Sequence, residues 1–182
     1  MSNFQNISEY IKVINKKSKE AFQIISRSNS KDRNLAIFNT SNIIEKNKDE
    51  ILLANEMDIK NAKLKNLSKA LIDRLLLNND RINDIISGLK KISQMNDPLG
   101  IELSRWKQPN GLDISRISVP LGIIGIIYES RPNVTVDAGS LCIKSGNTAI
   151  LRGGSDSIHT SKVLVKCLQE GLISANLPAD TV

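Results

Sequence analysis

The sequence predicts an α/β protein in three parts: a helical layer over residues 1–96, an extended hairpin arm over 97–118 and a βαβα unit over 119–182. Three observations carry this reading. Apolar residues recur at helical spacing up to Met95. The turn cluster Asn96-Asp97-Pro98-Leu99-Gly100 then ends that pattern. Two short β-branched runs follow it, each leading through a polar loop into a helix. The chain has 182 residues, 40% hydrophobic and 24% charged, which suffices for a buried core and excludes intrinsic disorder. Aromatic residues make up 3%, so the core has to come from Ile, Leu, Val and Ala.

The helices follow in order. Ile7, Ile11, Ile14, Ala21 and Ile25 share one face of the first, with Phe22 beside them, and Ser28-Asn29-Ser30 breaks it. The second is expected to bury Leu35, Ile37, Phe38 and Ile44. Asn47 and Glu50 have the spacing of a capping box, opening a third helix through Ile51, Ala54 and Met57. Ser68, flanked by Leu67 and Ile72 at staple spacing, is expected to cap a fourth through Leu71, Leu75 and Leu76. Ile82, Ile85, Ile86, Leu89 and Ile92 mark a fifth, with Gly88 a mildly unfavourable insertion.

After the turn cluster, residues 101–107 and 112–118 read as two extended segments reversed through Pro109-Asn110-Gly111. Such an arm suits pairing with another domain or subunit, or a local hairpin. Residues 123–128 are apolar on both faces, as in a strand buried inside a parallel sheet. The polar loop Glu129-Ser130-Arg131-Pro132-Asn133 and a helix over 134–144, stopped by Gly146, come next. A second short strand, 148–151, leads through Arg152-Gly153-Gly154-Ser155-Asp156 into a helix that ends before Pro178. The crossover of this Rossmann-like unit should be right-handed, with both loops on the edge where open α/β sheets bind ligands.

Net charge is +6, all of it in residues 1–96, which hold 17 basic and 11 acidic groups. The lysines are scattered among acids with no aromatic residues to stack bases, so no nucleic-acid partner is expected. No apolar run approaches the roughly 18–20 residues needed to cross a bilayer, and the polar stretch Met1–Tyr10 lacks the features of a secretory signal. Two cysteines make neither a disulfide framework nor a metal site, so a cytoplasmic protein with reduced thiols is expected.

Few residues carry chemistry on their own. Arg152, Gly153, Gly154 and Ser155 set a cation, two permissive residues and a hydroxyl before a helix, a pattern suited to phosphate. It is neither a full G-x-G-x-x-G nor a Walker A sequence, and a plain strand-to-helix turn reads the same way. The Asn133 amide can donate to a developing oxyanion, or simply cap its helix. Cys142 and Cys167 read as buried, inert thiols, and His159 as an ordinary helix residue.

The stretch from Val119 to Asp137, with Glu129-Ser130-Arg131-Pro132-Asn133 at its centre, resembles the signature of the gamma-glutamyl phosphate reductases. Ser140-Leu141-Cys142-Ile143-Lys144-Ser145-Gly146-Asn147 and Ala149-Ile150-Leu151-Arg152-Gly153-Gly154 continue it in register. Asn55, Asp58 and the segment Leu67-Ser68…Asp73-Arg74-Leu75 are similar too. The resemblance implies an incomplete aldehyde dehydrogenase-like fold, and a homo-oligomer for the full-length protein. It implies NADPH-dependent reduction of L-glutamate 5-phosphate to L-glutamate 5-semialdehyde, with release of phosphate, in proline biosynthesis. Asn133 matches the amide that holds the oxyanion, while Arg152, Gly153, Gly154 and Ser155 match the loop near the cofactor's adenosine ribose. Arg152 would suit a 2′-phosphate. The family's nucleophilic cysteine lies beyond Val182, and neither Cys142 nor Cys167 sits in its motif. The chain is therefore expected to be catalytically incomplete, as an experimental fragment or the product of a broken or split gene. The competing expectation is a non-catalytic remnant that binds a partner chain or an anionic ligand.

Overall fold

Three short polar side chains decide where helices begin. Asn29 accepts from the backbone N–H of Asp32 at 2.8 Å and opens α2 (Ser30–Lys46). Ser68 accepts from Leu71 and opens α4 (Lys69–Leu75). Asn78 accepts from Arg81 at 2.8 Å and opens α5 (Asn79–Gln94). Each satisfies an N–H that the first turn leaves without an intrahelical partner. At α3 (Lys48–Leu64) the expected box is not made: Asn47 stands at the cap but its side chain makes no capping bond. The amide instead reaches the Cys167 sulfur at 3.8 Å. This computed structural model describes residues 7–182; the first six residues of the polar Met1–Tyr10 stretch lie outside the described residues.

The remaining elements are α1 (Ile7–Ile25), the antiparallel strands β1 (Glu102–Lys107) and β2 (Asp113–Ile117), and the unit β3 (Ile123–Ile127), α6 (Pro132–Lys144), β4 (Thr148–Arg152), α7 (Ile158–Ser174). β3 and β4 pair in parallel, Ile123 opposite Thr148 and Ile127 opposite Arg152, with α6 as the crossover. The β1–β2 hairpin turns at Gly111, whose φ of +87° favours glycine, and Arg105 grips Asp113 across it through two nitrogens. Every residue of β1 is exposed.

α7 is the centre of the packing, with α2, α3 and α6 laid against it. Leu164, Leu168 and Leu172 on α7 meet Ile37 and Ile44 of α2 and Ile51 of α3 in a continuous core. Gly171 lets α2 approach closely; a Cβ there would press on the Ala36 carbonyl at 2.7 Å and on the Thr40 hydroxyl. All five apolar positions read for α5 are buried.

The outer turns of the other helices differ from expectation. Leu35 and Phe38 are exposed, because α2 offers Ala36, Ile37 and Thr40 to its neighbours instead. Ile7, Ile11, Met57, Leu71 and Leu76 also lie exposed. β3 is not buried on both faces: its last residue, Ile127, is 87% exposed, because β4 is its only strand neighbour among the described residues.

Two buried polar clusters bind the parts together. At the change from helix to extended chain, Arg33, 2% exposed, holds Asp97 at 2.7 Å and also donates to the Ser28 carbonyl. Beside it, Lys144 at the end of α6 donates to Asn34 and to the Met95 carbonyl, and burial pushes its pKa down. The second cluster lies on the buried stripe of α3. Asp58 accepts from the backbone N–H groups of His159 and Thr160, at 3.1 and 2.8 Å, and from the Thr160 hydroxyl at 2.6 Å. Asn55 donates to the Leu75 carbonyl and the Thr160 hydroxyl and accepts from Leu77 N–H.

Asp58→Asn puts an amide where three donors converge, so one donor must face an N–H₂. We expect a loss of about 2–3 kcal/mol in urea unfolding with unchanged slope; a change under about 0.5 kcal/mol would contradict this assignment. The exposed strand at Ile127 and the neighbouring exposed Leu121 are expected to drive concentration-dependent self-association in sedimentation. A monomer at all concentrations would show that charge repulsion suffices.

Candidate functional site

The two loops at the carboxyl ends of β3 and β4 are locked to one another. Tyr128 N–H donates to the Arg152 carbonyl at 3.1 Å, extending the strand pairing by one residue. A Cβ at Gly153 would meet the Tyr128 ring at 3.1 Å, and one at Gly154 would meet the Ser130 hydroxyl and its backbone nitrogen, the latter at 2.9 Å. Gly154 has an ordinary extended backbone, so space and not φ requires it. A line of hydroxyls continues inward: Tyr128 Oη to Thr135 at 2.8 Å, Thr135 to Ser161 and Ser161 to Ser157, each at 3.3 Å.

Around these loops lie two clefts. The first, about 400 Å³, is bounded by Asp73 and Arg74 of α4, Arg81 and Asp84 of α5, and Arg131, Asn133 and Asp137 at the start of α6. The second, about 360 Å³, lies between Leu71 and Arg74 of α4 and the loop residues Glu129, Ser130, Gly154 and Ser155. Arg74 stands in both. The residues expected from sequence therefore separate: Asn133 lines the first cleft, Gly154 and Ser155 the second, and Arg152 and Gly153 neither.

Asn133 does not cap α6. Arg131 holds the cap position, Pro132 follows, and Asn133 sits exposed in the first turn. Its Nδ2 donates to Asp137 Oδ2 at 3.3 Å, one turn along the same face. Burial raises the pKa of the Asp137 carboxyl, and the bond from Asn133 partly offsets that rise. Arg74 and Arg131 approach the same Glu129 oxygen at 3.2 and 3.3 Å. Arg81 is held by the Asp73 side chain at 2.8 Å and by the carbonyls of Asp73 and Leu76. Asp84 has no ion pair or hydrogen bond among the described residues.

On the other loop, the Arg152 side chain is exposed and donates to the Gly153 carbonyl. Ser155 is exposed in a short 3₁₀ turn before α7. The first-turn N–H groups of His159 and Thr160 are not open to a ligand, since the Asp58 carboxylate already fills that position. On this loop the Arg152 guanidinium and the Ser155 hydroxyl are the exposed side-chain groups suited to a phosphate.

No chemical role is read from the sequence for Asp137, Asp84, Arg74 or Arg81, although Asp137 and Arg74 stand in segments that carry the family resemblance. Asp137 carried a usable signal, being four residues after Asn133 and so on the same helix face. Arg81 and Asp84 of α5 carry no signal, because only helix packing brings them to α6. Cys142 and Cys167 are buried as expected, and burial pushes both thiols up, Cys167 to about 11. Neither is poised as a nucleophile. Among the described residues no group of His, Cys, Asp and Glu could hold a metal, and no helix is long and apolar enough to cross a membrane.

The chain matches none of the protein-family models. It is 45% identical to the gamma-glutamyl phosphate reductase of Clostridium tetani over 177 residues, 97% of this chain and 41% of that protein. The crystal structure of the gamma-glutamyl phosphate reductase of Thermotoga maritima superposes with a TM-score of 0.91 at 38% identity, covering 94% of this chain and 42% of that one. A putative aldehyde dehydrogenase from Bacillus subtilis shares the fold, with a TM-score of 0.67 at 18% identity, covering 95% of this chain and 35% of that one. The chain is thus homologous to gamma-glutamyl phosphate reductases over nearly all its length, and spans about two fifths of theirs. Its α/β architecture is that of part of an aldehyde dehydrogenase-like fold.

Because the folded state keeps the Cys167 proton up to about pH 11, the unfolded thiol, with an ordinary pKa near 9, ionises first. Stability is expected to fall as pH rises from about 9 towards 11, and Cys167→Ala should flatten that slope. Both thiols should resist alkylation at pH 8 and react once urea unfolds the chain. Rapid labelling of the folded protein would overturn the assignment.

Proposed function

We propose that this chain, homologous to part of the gamma-glutamyl phosphate reductases, supplies the oxyanion side and part of the cofactor side of an NADPH-dependent reductase. The reaction is reduction of L-glutamate 5-phosphate to L-glutamate 5-semialdehyde with release of phosphate, a step of proline biosynthesis in the cytoplasm. The observation that carries the reading is the likeness over nearly the whole chain, with Asn133 of its signature segment lining a charged cleft.

In this reaction a thiolate displaces phosphate from the acyl carbon, and negative charge develops on the acyl oxygen. The Asn133 amide stabilises that charge. Neither Cys142 nor Cys167 serves as the thiolate, because each is buried in a helix with a raised pKa. The bound nicotinamide cofactor supplies hydride. Arg152 would hold its 2′-phosphate, since the exposed guanidinium gives up only a contact within its own loop. The Ser155 hydroxyl would lie beside it. The exposed hairpin of residues 97–118 is the surface through which a homo-oligomer would form, between the helical region 1–96 and the dinucleotide-binding part that begins at 119.

Calorimetry tests the cofactor half. NADPH is expected to bind this chain with a micromolar to millimolar Kd, more tightly than NADH, and Arg152→Ala should erase the difference. Equal affinities in the unsubstituted chain would remove the role from Arg152. For the chemistry, this chain can replace the matching part of the Clostridium tetani relative. That chimera should reduce glutamyl phosphate, Asn133→Ala should lower kcat about 100-fold or more, and the 182-residue chain alone should not turn over.

A further inference from the structure

The charges around the Asn133 cleft do not cancel locally. Arg81 is fully engaged by Asp73 and two carbonyls. Arg74 and Arg131, on facing walls, share one carboxylate, Glu129, which is not among the residues lining this cleft, so the pair keeps an excess positive charge. On the α6 wall, beside Arg131, Asp137 has only the neutral amide of Asn133 as a partner, and on the facing wall Asp84 has none among the described residues. Each wall of the cleft therefore offers an unmatched carboxylate and a guanidinium with charge to spare, in a space of about 400 Å³. A carboxylate that has lost part of its water and gained no cation is stabilised by a ligand cation.

We propose that this cleft receives the α-amino-acid end of the substrate, Asp137 with Asp84 taking the α-ammonium and Arg131 with Arg74 taking the α-carboxylate. Asp137 is then the specificity-determining residue: it separates an amino acid from the same chain without the amine. The bond from Asn133 ties that choice to the oxyanion amide, since one carboxylate contacts both ligand and Asn133. The inference rests on the reductase reading only for which amino acid is bound.

The test is ¹⁵N NMR titration of the 182-residue chain. The probes are L-glutamate, glutarate, which lacks the ammonium, and 4-aminobutyrate, which lacks the α-carboxylate. L-Glutamate should shift the Asn133 side-chain amide and the Arg131 and Asp137 backbone signals with a millimolar Kd. Glutarate and 4-aminobutyrate should bind at least about 10-fold more weakly, a difference of about 1.4 kcal/mol. Asp137→Asn, which can still accept from Asn133, should weaken L-glutamate about 10-fold and leave glutarate unchanged. If that variant loses its folded spectrum, Asp84→Asn decides with the same readout. Glutarate binding as tightly as L-glutamate, indifference of L-glutamate to these substitutions, or no binding at tens of millimolar would each overturn the proposal. Should L-glutamate bind as stated while the chimera fails to reduce glutamyl phosphate, the reductase reading falls and the amino-acid site stands. Should the chimera work while the cleft ignores Asp137, the reverse holds.

Discussion

One buried carboxylate does most to hold this molecule in its working shape. Asp58, 1% exposed on the inner stripe of α3, gathers three donors from the first turn of α7. That single contact caps α7, fastens it to the helical layer and fixes the loop that leads into it from β4. Asn55, one turn earlier on α3, extends the same network to the junction between α4 and α5. The α4 wall common to both clefts is thus referred to α3 through Asn55, and the start of α7, beyond the loop that lines the second cleft, through Asp58. A satisfied buried network of this kind specifies one arrangement, because every alternative leaves a polar group dry and unpaired.

The site follows from that arrangement. α6 presents Arg131, Asn133 and Asp137 to a cleft whose far wall is α4 and α5. The exposed ion pairs there add little to stability by themselves. Their effect is on the field inside the cleft, where two guanidinium groups divide one carboxylate between them. The apolar core beneath, built mainly from Ile and Leu, shapes the walls.

Much of this was legible in the sequence. The helical stripe of α5, the cap at Ser68, the reversal at Gly111 and the β3–α6–β4–α7 order all depend on neighbours within a few residues, and periodicity and turn chemistry report those faithfully. Leu35 and Phe38 were misread because helical spacing alone allows more than one apolar face; Ala36 and Thr40 won, being small enough to admit α7. Asn47 left its box for a sulfur 120 residues away, a partner that no local pattern announces. Ile127 was expected inside a sheet and stands at its margin. Of the site, the signature segment and the Asp73-Arg74 part of the opposing wall were visible, and Arg81 and Asp84 were not. A clue to Asp58 was present nonetheless: two polar residues, Asn55 and Asp58, interrupt the apolar stripe of Ile51, Ala54 and Ala62.

The close fit of Gly154 against Ser130 bears on how such a chain can change over time. A methyl group at 154 cannot be accepted until the hydroxyl at 130 has gone and the loop backbone has drawn back. A shift of that loop, in turn, carries Arg131 and Asn133 with it. A substitution at 154 is therefore epistatic on position 130: it is disfavoured while Ser130 is present. Change at 154 must follow change at 130, so the loop after β4 is free to diverge only once the loop after β3 has done so.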